Sequence, residues 1–200
     1  MNINQLSVGM PSKVIADCMA TFKKQVPAGV TLTMLEGDPF AADMPGLVPI
    51  KDRSDYIRLM LGKADPTSMW VDRDVRLRTV KGISTPFPVI PADGKARFYT
   101  FPIQHGSSVM MYSPCVIAWN GDTLAADMLN VLLANPGDYP NHPISRMLKL
   151  PQFAGRVLPM PAGFVHLCES VHSMWNQGVR EIRTAEISIT GKDKVTVFDE

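Results

Sequence analysis

The sequence predicts an α/β fold: one domain over residues 1–200, a central mixed sheet flanked by helices, and a C-terminal β-hairpin. Three observations predict it. The chain opens strand–helix–strand, the usual start of a parallel sheet. Residues 52–77 read as an amphipathic helix, a short turn and a buried strand that runs out into two aspartates. The tail alternates with period two on either side of Gly191-Lys192-Asp193, the pattern of a hairpin.

Taken in order, residues 3–8 supply a first strand, and Val14, Ile15, Cys18 and Phe22 recur at helical spacing within residues 11–25. Pro27-Ala28-Gly29 breaks that helix, and the β-branched run 30–35 is a second parallel strand. Residues 38–49 are a proline-containing loop. In the next helix Asp52 is placed to cap, with Asp55 three residues on in the manner of a capping box, while Ile57, Met60 and Leu61 face the core. Residues 68–71, bounded by Pro66 and by charge, form a buried strand.

Residues 82–102 hold four prolines, so strands there are short or at edges; Phe98, Tyr99 and Phe101 mark one. Residues 109–112 and 115–119 are two strand pieces split by Ser113-Pro114. Asp122 or Thr123 caps a helix over 123–134 that buries Leu124, Met128, Val131 and Leu132 and ends at Asn135-Pro136-Gly137. A rigid loop, 138–143, leads to a short helix over 144–150, with His142 as a surface or helix-start residue. A proline-rich stretch and a strand over 164–167 follow.

Composition narrows the function. A net charge of +1 and a pI of about 7.7 give no strong basic field for nucleic acid. Cys18, Cys115 and Cys168 are odd in number and widely spaced, which fits reduced buried thiols rather than a disulfide framework or a zinc site. The first ten residues lack a basic start and a long apolar run, and no segment approaches the roughly 20 apolar residues of a membrane helix. The expectation is a cytoplasmic protein without a membrane anchor.

The chemistry points to Asp72 and Asp74. They sit where a buried strand leaves the sheet, and in open α/β sheets ligands bind just outside the carboxyl ends of strands. Two carboxylates one residue apart repel unless a cation joins them, and oxygen ligands suit a hard divalent ion, magnesium or manganese. On the preceding helix Asp55 and Arg58 are three apart on one face. Separately, the first pair reads equally as a solvated turn and the second as an exposed ion pair; in this order and spacing the four read together as a site.

The composite Ser54-Asp55-Tyr56-Ile57-Arg58, then Met69-Trp70-Val71-Asp72-Arg73-Asp74-Val75, resembles the sugar-binding region of DXD-containing retaining glycosyltransferases. That family includes the α-1,6-mannosyltransferases and is related to the glucosylating toxins. Cys18-Met19-Ala20-Thr21-Phe22-Lys23-Lys24 looks like the family's first helix, and His172, Ser173 and Trp175 look like its closing segment. Two features depart from the pattern. Pro66-Thr67-Ser68 replaces a Gly-Gly, and Leu6-Ser7 stand where an aromatic would stack on the nucleotide base.

The resemblance implies a GT-A-like domain that uses Mn2+ or Mg2+ and moves a sugar from a UDP- or GDP-sugar with retention of configuration. It implies that Asp74 binds the metal directly and that Asp72 holds the ribose or sugar and reaches the metal through water. Asp55 and Arg58 would hold the sugar's hydroxyls, His172 or Ser173 would complete the metal's ligands, and Trp175 would shield the diphosphate. Asp72 and Arg58 are the candidate catalytic residues. The acceptor is open among protein, glycan, lipid headgroup and modified DNA base, with a soluble macromolecule preferred.

Two rivals stand beside this reading. A catalytically degenerate GT-A-like binding or assembly module would account for the missing aromatic and the replaced glycines. A phosphatase of the haloacid dehalogenase type uses Asp-x-Asp-x-Thr after a strand, but Arg76 occupies the Thr position here.

Overall fold

The structure, a computed structural model, describes residues 1–7, 13–37, 40, 42, 48, 52–77, 90–102, 110–161 and 168–170. Strand β1 (Asn2–Ser7), helix α1 (Lys13–Gln25) and strand β2 (Thr31–Glu36) make the expected opening. The two strands pair in parallel along their length, from Asn2 opposite Thr31 to Ser7 opposite Glu36. Helix α2 (Arg53–Ala64) and strand β3 (Met69–Val71) follow, and β3 adds to the other edge of β1 in parallel.

Strands β5 (Arg97–Pro102) and β6 (Met110–Ala118) extend the sheet antiparallel, and a two-residue strand β7 (Leu158–Pro159) closes it parallel to β5. The order is β2-β1-β3-β6-β5-β7. This is an α/β fold with a six-stranded mixed sheet flanked by helices. Strands β4 (Val75–Leu77) and β8 (Cys168–Ser170) make a separate antiparallel pair. The expected strand at 164–167 and the hairpin of the tail fall outside the described residues.

Both faces of the sheet are covered, which explains why β3 is apolar at every position rather than alternating. Met69 and Val71 point into a layer with Ile3 and Phe22 of α1, while Trp70 points the other way, into a layer with Leu59, Leu124 and Met128. Helix α3 (Leu124–Ala134) packs on α2 in that second layer. Phe98 and Trp119 meet edge to face there, with ring centroids 5.9 Å apart.

The structure corrects several expectations. Helix α2 is not amphipathic: Asp55 through Met60 are all buried, and Gly62 with them, because the sheet lies on one side and α3 on another. Leu61, expected in the core, is only half-buried. Asp52 makes no capping hydrogen bond; its carboxylate turns instead to a distant loop. Strand β6 is continuous through Ser113-Pro114, and the break appears only in its pairing, where Phe98 faces Ile117 and Tyr99 faces Ser113.

The short helix after residue 142 is α4 (Pro143–Met147), with His142 exposed at its start, and the proline-rich stretch contains a further turn of helix, α5 (Pro151–Ala154). Among the described residues, no helix is long and apolar enough to cross a membrane.

The Pro66-Thr67-Ser68 turn before β3 is built on an aspartate. Asp65 Oδ1 accepts from the Thr67 amide at 3.0 Å and the Thr67 hydroxyl at 2.6 Å, and Ser68 N donates to Asp65 O at 3.0 Å. A side chain that mimics a backbone turn does here what glycine permissiveness does elsewhere. Pro66 O and Ser68 O then accept from Gly121 N and Trp119 N, which ties the turn to the end of β6.

Candidate active site

The candidate site lies where β3 runs out between α1 and α2. An open cleft of about 390 Å³ is lined by Ile15, Ser54, Arg58, Trp70, Asp72, Arg73 and Asp74. The turn that carries the aspartates is set by the backbone: Asp72 N donates to Cys115 O of β6 at 2.7 Å, and Val75 N donates to Asp72 O at 3.1 Å. Strand β4, which continues from the turn, is held by α1, since Leu77 N donates to Thr21 Oγ1 and Leu77 O accepts from Gln25 Nε2.

Arg58 is the hub. Its Nη1 donates to Asp55 Oδ1 and, at 3.2 Å, to Ser54 Oγ; its Nη2 donates to Asp72 Oδ1 at 2.6 Å. Its guanidinium carbon lies 5.2 Å from the centre of the Trp70 ring, in cation–π range. Trp70 Nε1 donates to the same Asp72 oxygen at 2.5 Å. That oxygen is therefore committed to the protein, and Asp72, with 23% of its side chain exposed against 3% for Asp55, lines the cleft.

The ion pair is thus buried, not the exposed surface pair that Asp55 and Arg58 could have made. Burial works against the Arg58 charge, but Asp72 and Asp55 together outweigh it and hold its pKa above the ordinary value. For Asp55 burial wins: it pushes the carboxyl above the ordinary 3.8, against Arg58 and the Ile144 amide, which donates to Asp55 Oδ2 at 3.0 Å.

A pH dependence follows. Between 3.8 and the higher native value, the folded chain keeps a proton that the unfolded chain has lost. The Asp55 contribution to stability is therefore complete below 3.8 and falls away as pH rises through the native value. Asp55→Asn is expected to remove that slope from a series of denaturant midpoints measured against pH. A carboxyl resonance of Asp55 that titrates below 3.8 would contradict the assignment.

Asp55, Arg58 and Asp72 are thus in contact, and Asp74 lines the same cleft. The candidate ligands His172 and Ser173 and the candidate shield Trp175 lie outside the described residues. Sequence reasoning missed Trp70 as a partner of Asp72, although two residues apart on an extended segment place side chains on one face. It missed Ile15 and the Ile144 amide, for which no local signal exists.

Among the described residues no three His, Cys, Asp or Glu side chains converge as a metal cage. Two carboxylates, those of Asp72 and Asp74, line the cleft, and carboxylate oxygen is the ligand type that suits a magnesium-like ion. Such an ion is commonly held by one or two carboxylates, with ligand phosphates and water completing its shell.

The sheet order, the helices on both faces and a cleft at the end of β3 define a GT-A-like architecture. Comparison with solved structures agrees: the chain is similar to the crystal structure of a glycosyltransferase involved in the glycosylation of the major capsid of PBCV-1. The likeness has a TM-score of 0.53 at 11% identity and spans 91% of this chain and 98% of that one, so it is a likeness of fold. No protein-family profile and no curated protein sequence matches the chain.

Proposed function

We propose that this chain is a metal-dependent glycosyltransferase that moves a sugar from a UDP- or GDP-sugar to an acceptor with retention of configuration. The observation that carries the reading is that Arg58, backed by the buried Asp55, meets Asp72 beside Asp74 in one open cleft of a GT-A-like fold. Arg58, fixed by carboxylates on both sides, is preorganised to donate to sugar hydroxyls and hold the anomeric carbon in place. Asp72 offers one oxygen to the ribose or sugar while Trp70 and Arg58 hold the other.

Asp74 and Asp72 would hold Mn2+ or Mg2+, which supplies charge neutralisation for the departing nucleoside diphosphate. Ser170 pairs with Val75, next to Asp74. His172 and Ser173 follow on a tether of at most about 7–11 Å, which supports them as further ligands. With retention, no protein nucleophile is required, and the acceptor attacks on the leaving-group side. The structural neighbour's involvement in glycosylating a major capsid favours a macromolecular acceptor.

Leu6-Ser7 at the end of β1 favours the second reading, a degenerate binding or assembly module, because no aromatic stands there for the base. One assay separates the two: hydrolysis of UDP- and GDP-sugars with and without manganese, beside an Asp74→Ala control. Manganese-dependent release of UDP or GDP, reduced about 100-fold or more in the variant, is the expected result. If no donor is turned over, and none raises the melting temperature with manganese present, the transferase reading falls and the binding module replaces it.

A further inference from the structure

Two carboxylates at the start of α2 that do not line the cleft grip one distant loop. Asp52, only 3% exposed, accepts from Asn141 N at 3.1 Å on Oδ2 and from His142 N at 3.3 Å on Oδ1. Asp55 accepts from Ile144 N at 3.0 Å. Asn141 and His142 have φ of +58° and +68°, the left-handed region that non-glycine residues rarely occupy. Their successive amides both donate to the one carboxylate of Asp52. Backbone in this region persists only where its surroundings over-determine it. The nearly buried Asp52 carboxylate takes both amides.

The consequence runs back to the cleft. The same loop presents the Ile144 amide to Asp55 Oδ2, and the other oxygen of Asp55 takes Arg58 Nη1. Arg58 Nη2 in turn holds Asp72. We propose that Asp52 is a positioning residue: by clamping the 141–144 loop it places the Ile144 amide, which orients Asp55 and so sets the direction of the Arg58 guanidinium in the donor cleft. This rests on the transferase reading for its functional meaning, but the positioning itself is measurable without a donor.

The experiment compares wild type, Asp52→Ala and Asp52→Asn by amide hydrogen exchange, by the side-chain N–H resonances of Arg58, and by donor hydrolysis per folded molecule. In Asp52→Ala the Ile144 amide is expected to exchange about tenfold faster or more. The Arg58 resonances should broaden, and KM for the donor should rise roughly tenfold with a smaller fall in kcat. Asp52→Asn keeps one acceptor oxygen and is expected to lie between the two.

A folded Asp52→Ala with a lowered melting temperature but wild-type Ile144 exchange and Arg58 resonances overturns the proposal, since Asp52 would then be merely structural. If Asp52→Ala does not fold, Asp52→Asn decides: unchanged exchange and resonances overturn it, and intermediate values support it. If wild type hydrolyses no donor, the function reading fails, and the exchange and resonance results still decide the role of Asp52.

Discussion

Arg58→Ala is expected to destabilise the protein by about 3–5 kcal/mol, the range seen when one member of a buried ion pair is removed. The loss is not mainly that of three hydrogen bonds. Asp55 is almost wholly buried and its carboxyl is already pushed above its ordinary value by desolvation, so without Arg58 the Ile144 amide is the one hydrogen-bond donor left to it among the described residues. For a chain of 200 residues, such a change lowers the melting temperature by about 6–20 °C.

Adding Asp55→Asn to Arg58→Ala is expected to restore part of the loss, because it removes the stranded charge; a double-mutant cycle by urea unfolding measures the coupling. Arg58→Lys should retain more stability than Arg58→Ala and still lose donor turnover, since one ammonium cannot hold Asp55 and Asp72 in the fork geometry that a guanidinium provides. An Arg58→Ala chain as stable as wild type would show that the array of ion pairs contributes nothing to the fold.

Gly62→Ala is expected to destabilise despite the usual preference of helices for alanine. Propensity alone would favour alanine by about 1 kcal/mol in a helix interior. At Gly62, however, a Cβ would overlap the indole of Trp119: it would lie closer still to Cε2 and Nε1, and even Cδ2 would be 2.7 Å away. Trp119 is fully buried and packed edge to face on Phe98, so its ring cannot swing clear.

Overpacking of this kind costs about 3 kcal/mol or somewhat more. The net effect is then about 2 kcal/mol, or a fall of about 4–8 °C in melting temperature. Donor turnover per folded molecule should be unchanged, since Gly62 does not line the cleft. A Gly62→Ala chain with a raised melting temperature would mean that α2 can withdraw from Trp119 at little cost.

Local chemistry made much of this legible. The βαβ opening follows from a break at Pro27-Ala28-Gly29 between two apolar runs, and β3 from its apolar stretch between Pro66 and Asp72. Asp55 and Arg58 meet because three residues of helix separate them, a spacing that acts before any tertiary contact forms.

The reading of α2 as an amphipathic, capped helix failed for a physical reason. Its sequence carries charge on more than one side, and only the packing of the sheet and α3 shows that Asp55 and Arg58 are paired inside rather than solvated, while Lys63 stays exposed. Asp52 fits the pattern of a cap, yet its carboxylate is drawn to the amides of Asn141 and His142, about 90 residues away.

By itself, then, the sequence determined the α/β class, the opening of the sheet, and the set Asp55, Arg58, Asp72 and Asp74 as the place to look. These rest on interactions between residues within a few positions of one another, and periodicity records such interactions directly. The tertiary structure alone decided that Arg58 is buried between two carboxylates, that Trp70 takes up one oxygen of Asp72, and that the 141–144 loop stands behind Asp55. Those facts depend on which distant segments pack together, and burial, which turns a weak surface ion pair into a fixed array, comes into being only when they do.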